Sequence, residues 1–381
     1  MRTSTTKTVL LTLGRLPVAL DLAHGFHNAG WRVIVADPLG MHLARMSKAV
    51  HRCVRVTAPA TSPDAFASEL LAVIDRFAIR LVVPVSEESP YVAALHDHLP
   101  DGVELFAPPL KNLLALHDKL RFSETAREFG LPAPRSTAGD DPERGSITEA
   151  GAYVVKPRHS CSGRHVEYYR AGTDCEAGAN AVVQERLDGE HVSSFTIARD
   201  GRSLATSVYR GTVMSGSVAV CFERLDDAET VERWVDDFIA RLGYTGFIAF
   251  DFIVDEEGVA RAIECNPRAT SGIHYIKSDS LPALIAGRRV DEPLREETAL
   301  TESWSCYTAA LGQLARPRHF LAAMAKLRAA HDVSWRHEDP WPFLLMMINT
   351  WPILWRAMRR GLSPPAAAML DIEWRAEPGE C

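Results

Sequence analysis

The chain has 381 residues, 46% hydrophobic and 24% charged, an ordinary balance for a globular protein and enough for two or three packed units. A formal charge of −7 runs against a dedicated nucleic-acid binder, so no nucleic-acid partner is expected. Seven cysteines without CxxC spacing argue against a zinc or disulfide framework and fit a reducing, cytoplasmic setting.

The first hundred residues alternate two patterns. Residues 8–13, 31–37 and 80–85 read as strands, and 17–29 and 65–77 have helical spacing. That alternation predicts a parallel sheet covered on both faces. Gly14 followed by Asp37 imitates a dinucleotide fingerprint. However, Gly14-Arg15-Leu16-Pro17 lacks the second and third glycines that admit a pyrophosphate, so plain sheet architecture is the better reading. The apolar run after Lys7 is broken by Gly14 and Arg15, which favours a first strand over a signal peptide.

A helix is predicted over 111–129, and 136–146, rich in Gly, Asp, Pro and Arg, reads as a connector. From 152 to 264 the pattern becomes short strands (153–156, 182–187, 192–198, 247–254) with a helix over 230–242, an antiparallel arrangement. Within it, two apolar strands flank Glu257-Gly258 and predict a hairpin. A turn centred between those residues sets Asp251 opposite Glu264, with Asn266 diagonal to them. Two carboxylates roughly 5 Å apart in apolar surroundings repel, and a divalent cation removes the conflict. All-oxygen ligands favour Mg²⁺.

Two weaker signals accompany this hairpin. A strand ends at Lys156 and runs into small residues including Ser162 and Gly163, whose backbone N–H groups suit phosphate oxygens. Another strand reaches Glu185-Arg186-Leu187, turns at Gly189 and offers Glu190. Exposed backbone at such a stop can pair with a purine edge, and an acid can take ribose hydroxyls.

Together and in this order, Lys119 in His117-Asp118-Lys119, the Val-Val-Lys156-Pro strand, Gln-Glu185-Arg186-Leu187-Asp-Gly-Glu190 and Asp251…Glu264-Cys-Asn266-Pro-Arg268 resemble the ATP-grasp superfamily. The Asn-Pro-Arg ending is most similar to its carbamoyl-phosphate-synthase-like and amino-acid-ligase branches. The resemblance implies an α/β and α+β chain: a pre-ATP-grasp α/β domain over 1–110, an ATP-grasp domain of two subdomains over 111–315, and a C-terminal extension over 316–381. It also implies ATP and Mg²⁺ as cofactors. Lys119 and Lys156 would then hold phosphates under a closing loop with Ser162 and Gly163, Glu185 to Leu187 would meet adenine, and Glu190 would bind ribose. Asp251, Glu264 and Asn266 would hold the metal, and Arg268 would act in catalysis. The implied reaction is ATP-dependent ligation of a carboxylate to an amine through an acyl phosphate, with ADP and phosphate released. A bicarbonate-using carboxylase and a non-catalytic nucleotide-binding protein are the alternatives.

Beyond Tyr275 the resemblance fades. Residues 343–355 are mostly apolar, contain Pro352 and precede Arg356, Arg359 and Arg360. Thirteen residues are too few to span a bilayer. An apolar stretch with trailing arginines also suits a membrane surface, but the expectation is that this segment is buried on its own domain or on a second copy in a homodimer and does not touch lipid.

Overall fold

The computed structural model describes residues 7–159, 166–215, 218–305 and 317–374. Five short strands form the first layer: β1 (Thr8–Leu11), β2 (Arg32–Asp37), β3 (Arg52–Arg55), β4 (Leu81–Val83) and β5 (Glu104–Leu105). All are parallel, in the order β3-β2-β1-β4-β5. Alternate side chains of β1 feed opposite faces. Val9 and Leu11 pack with the helix Pro17–Asn28, and Leu10 packs with Phe66 and Leu70 of the helix Pro63–Arg76. The Asp37 carboxylate accepts from Gly14 N at 2.9 Å and Leu39 N at 2.7 Å, and pairs with buried Arg15 at 2.8 Å. The Gly14–Asp37 spacing is thus consumed by the fold itself.

The predicted helix over 111–129 is two helices, Leu110–His117 and Lys119–Glu128. Asp118 between them is extended, and its carboxylate accepts from Leu120 N and Arg121 N, an N-cap that restarts the helix. The break puts Lys119 at the first helical position.

A four-stranded antiparallel sheet follows: β6 (Ser136–Ala138), β7 (Tyr153–Pro157), β8 (Glu167–Tyr169) and β9 (Ala181–Glu185), in the order β6-β9-β7-β8. The segment expected to be a connector supplies β6, a three-residue edge strand too short to show a period. Ile147, Tyr153, Val155, Cys175 and Val183 form this sheet's own small core.

The third sheet has seven strands: β10 (Glu190–Arg199), β11 (Arg202–Ser215), β12 (Val218–Arg224), β13 (Gly246–Val254), β14 (Ala260–Asn266), β15 (Ala299–Thr301) and β16 (His331–Asp332). Their order is β14-β13-β10-β11-β12-β15-β16. Phe195, Ile197, Phe247 and Ala249 on one face share a continuous core with Val9 and Leu11 of the first sheet. Ile248, Phe250 and Phe252 on the other face pack with Trp234 and Phe238 of the helix Glu229–Leu242. The α/β plus α+β architecture is as the sequence reading has it.

The C-terminal segment meets the expectation of packing on its own domain in part. Residues 341–360 form the helices Trp341–Leu344, Met346–Asn349 and Trp351–Arg360. The last of these buries Ile353 and Ala357 against Leu39, Ala367 and Ala368, while Trp351, Trp355 and Met358 face outward. Burial within the chain therefore holds for one stripe only. Apolar content was read as a run, but a helix with a repeat of 3.6 residues divides it between two faces. Among the described residues no helix is long and apolar enough to cross a membrane.

Candidate active site

The hairpin β13–β14 sets the centre. Its pairing begins at Val254↔Ala260, one residue tighter than a turn centred between 257 and 258 gives. Gly258, at φ +79°, closes the turn by donating its N–H to Asp255 O at 2.9 Å. A register shift between Asp251 and Phe252, with Ile263 left as the extra residue, then brings Asp251 opposite Glu264 and Ala249 opposite Asn266. The Ile263 carbonyl accepts from Lys156 Nζ at 2.9 Å. The irregularity thus joins β14 to β7 of the four-stranded sheet.

Around the two acids the chain gathers five further groups. Lys119 Nζ lies 3.3 Å from Glu264 Oε1. Ser193 Oγ donates to Asp251 Oδ1 at 2.6 Å, and Asn266 Nδ2 donates to Asp251 Oδ2 at 3.2 Å. Arg268 Nη2 donates to Asn266 Oδ1 at 3.1 Å and pairs with Glu87 Oε1 at 2.7 Å. Lys119, Lys156, Asp251, Glu264, Asn266 and Arg268 therefore meet in one place.

Charge balance follows from burial. Burial pushes the Asp251 carboxyl up; His191 opposes that, and Glu264 adds to it. For Glu264, burial is outweighed by Lys119 and Lys156, which hold it below its ordinary value. Burial lowers the Lys156 ammonium to about 8 against the pull of Glu264, and Lys119 lowers it further. Two partly buried carboxylates with an amide oxygen beside them form an oxygen donor set of the kind Mg²⁺ takes, and a cation would relieve the cost of ionising Asp251.

Other expected residues lie apart from this cluster. Glu185 ends β9 with its carboxylate on Arg135 at 2.8 Å and its N–H on the Arg135 carbonyl at 2.9 Å, leaving only its backbone carbonyl for a nucleotide. Arg186 sits 3.8 Å from Asp188, and Leu187 is half-buried. Glu190 pairs with Arg210 at 2.8 Å, and alternation along β10 sets it on the opposite face from Ser193 and Asp251. His191 is on the face of Asp251. Ser162 and Gly163 lie outside the described residues.

Three site residues escaped the sequence reading: Glu87, His117 and His191. Glu87 follows β4 of the first sheet and lies far from Arg268 in sequence. His117 is buried 4.0 Å from Glu87, and burial lowers its pKa, with Glu87 opposing. His191 adjoins a residue that was singled out, and strand alternation would have found it.

Comparisons with known proteins bear on the same region. Residues 116–272 match the model of the ATP-grasp domain. The chain is 29% identical to the carbamoyl phosphate synthase large chain of Rubrobacter xylanophilus over 206 residues, covering 47% of this chain and 19% of that one. It is 26% identical to the C-terminal section of the Methanopyrus kandleri large chain, covering 57% and 44%. It thus spans less than half the length of either relative. Among solved structures it is similar to biotin carboxylase of Campylobacter jejuni, with a TM-score of 0.61, 15% identity, and 77% and 74% of the two chains covered. It is also similar to the L-amino acid ligase of Bacillus licheniformis, with a TM-score of 0.57, 17% identity, and coverage of 72% and 71%. At these identities the structural likeness speaks for the fold.

Proposed function

Residues 116–272 are an ATP-grasp domain, and from that premise we propose that the chain ligates a carboxylate to an amine at the expense of ATP, through an acyl phosphate. The observation that carries this reading is the convergence of Lys119 and Lys156 on the opposed carboxylates Asp251 and Glu264. ATP-grasp enzymes use ATP with Mg²⁺. Here Asp251, Glu264 and the amide oxygen of Asn266 would hold the ion, which when bound neutralises phosphate charge.

In this reading Lys119 and Lys156 orient the phosphates. Lys156 shares a face of its sheet with Val154, Val182 and Gln184, a mainly apolar bed of the kind a purine ring favours. Glu185 to Leu187 would offer backbone to the adenine edge, and His191 stands nearer the metal ligands than Glu190 as a group for ribose. Arg268, held by Glu87, would stabilise charge developing on the transferred phosphoryl as a substrate carboxylate attacks the γ-phosphorus. The acyl phosphate formed is open to an amine, and neutral His117 stands where it could take the proton that the amine releases.

An ADP-release screen of carboxylates, with and without amines, tests the reading. ADP and phosphate as products support it, and AMP with pyrophosphate would overturn it. Arg268→Ala should cost about 3 kcal/mol in transition-state stabilisation, falling on turnover more than on ATP binding.

A further inference from the structure

A cavity of about 730 Å³ lies at the carboxyl ends of β2 and β3, away from the site of the proposed chemistry. Pro38 and Leu39 after β2 and the loop after β3 line it, and Arg356 and Arg360 of the helix Trp351–Arg360 complete it. Open parallel sheets take ligands in crevices outside the carboxyl ends of their strands, and this volume is that of a small-molecule site. The strand order is β3-β2-β1-β4, so β1 stands between this cavity and Glu87, which follows β4.

Three arginines line the cavity, Arg55, Arg356 and Arg360, and the two acids beside them are already engaged. Asp371 takes Arg15 at 2.6 Å and Arg356 at 2.9 Å. Burial would raise its carboxyl, but Arg15 and Arg356 hold it below its ordinary value. Glu69 accepts from Thr57 N at 2.5 Å and from Thr57 Oγ1 at 2.8 Å. Arg55 is oriented by donating from Nε to Pro38 O at 3.2 Å, yet neither Arg55 nor Arg360 forms an ion pair among the described residues. The fold thus brings like charges from distant parts of the chain to one cavity without neutralising them. An anion there removes the repulsion, and two guanidiniums match the charge and the fork geometry of a phosphate.

We propose that this cavity is a second ligand site, separate from that for ATP, which binds a small phosphate-bearing molecule through Arg55 and Arg360 with Arg356 beside them. The test is calorimetric titration of the full chain with inorganic phosphate and with ribose 5-phosphate. Mg²⁺ and a non-hydrolysable ATP analogue are kept saturating, so that phosphate cannot report on Lys119 and Lys156. The expected result is saturable binding at millimolar concentration or below, with a raised melting temperature, because the ligand joins the first sheet to the C-terminal helix. Tighter binding of ribose 5-phosphate would assign the site to an organic phosphate, as the volume favours, and tighter binding of inorganic phosphate to the free ion. The pair Arg55→Gln and Arg360→Gln should weaken binding roughly tenfold or more. Both side chains are exposed, so the melting temperature without ligand and the affinity for the ATP analogue should be kept. Absence of saturable binding by either compound would overturn the proposal. Binding that the paired substitution leaves unchanged would do the same, and so would an equal loss of affinity for the ATP analogue.

Discussion

Glu87, which follows a strand of the first sheet, pairs at 2.7 Å with Arg268 beyond the last strand of the β13–β14 hairpin, and both side chains are largely buried. The neighbouring Glu88 fixes the loop that carries it, accepting from Thr12 Oγ1 and from the amides of Val85 and Ser86. The first sheet thereby supplies part of the candidate active site. Glu87→Gln should destabilise the protein by about 3 kcal/mol, because it leaves a largely buried guanidinium with a neutral partner. Urea unfolding measures this, and an unchanged midpoint would show that Arg268 has other support.

Lys156 gives a pH signature. Its folded value of about 8 lies below the ordinary 10.5, so between these the unfolded chain binds the additional proton. Stability therefore gains from this group as pH rises through the window, and its charging cost is fully present below about pH 8. In the proposed reading phosphate binding needs the ammonium, so ATP affinity should fall between about pH 7 and about pH 9 while this contribution to stability rises. Calorimetric titration across that range checks it, and Lys156→Gln should flatten the dependence.

Asp251→Asn should separate metal binding from stability. The carboxylate is raised chiefly by burial, so the neutral amide should leave the protein within about 1 kcal/mol of the parent. The gain in ADP affinity on adding Mg²⁺ should drop roughly tenfold or more. Equal Mg²⁺ enhancement in parent and variant would place the metal elsewhere.

Asp21 on the first helix is fully buried among Arg295, at 2.8 Å, Arg336, His274 and Ser278. Burial alone would raise its carboxyl, yet Arg295, the His274 hydrogen bond and Arg336 hold it well below the carboxylate range. A depressed folded value means that its stabilisation is present above about pH 4 and is lost as pH falls below that. Asp21→Asn leaves two arginines facing an amide and should cost about 3–5 kcal/mol at neutral pH. The deficit relative to the parent should shrink on acidification, as read by unfolding at several pH values.

What the sequence disclosed depended on distance along the chain. The facing of Asp251 and Glu264 could be read from a local turn, although the turn is one residue tighter and the bulge at Ile263 makes up the difference. That slip left a trace, since the buried positions Ala260, Ala262 and Cys265 change phase after Ala262. Lys119 and Lys156 were found through their motifs. Glu87 was not, because nothing local marks a residue whose partner is brought near only by the packing of two sheets. For the C-terminal helices the limit is different: apolar content does not tell which stripe finds a neighbour within the chain.

One core runs unbroken from Val9 and Leu11 to Phe195 and Phe247, while Tyr153 and Val183 belong to a separate, smaller one. Stiffness is therefore unequally shared. The two larger sheets cannot part without opening a common interior, so they serve as a chassis, and the four-stranded sheet is the jaw. Lys156 is mounted on that jaw and reaches the chassis through the Ile263 carbonyl. A swing of the four-stranded sheet away from the chassis would break that hydrogen bond together with the Arg158–Asp118 ion pair and the Lys119 N to Arg158 O bond, so the cluster that gathers the charged groups is also what holds the two parts together.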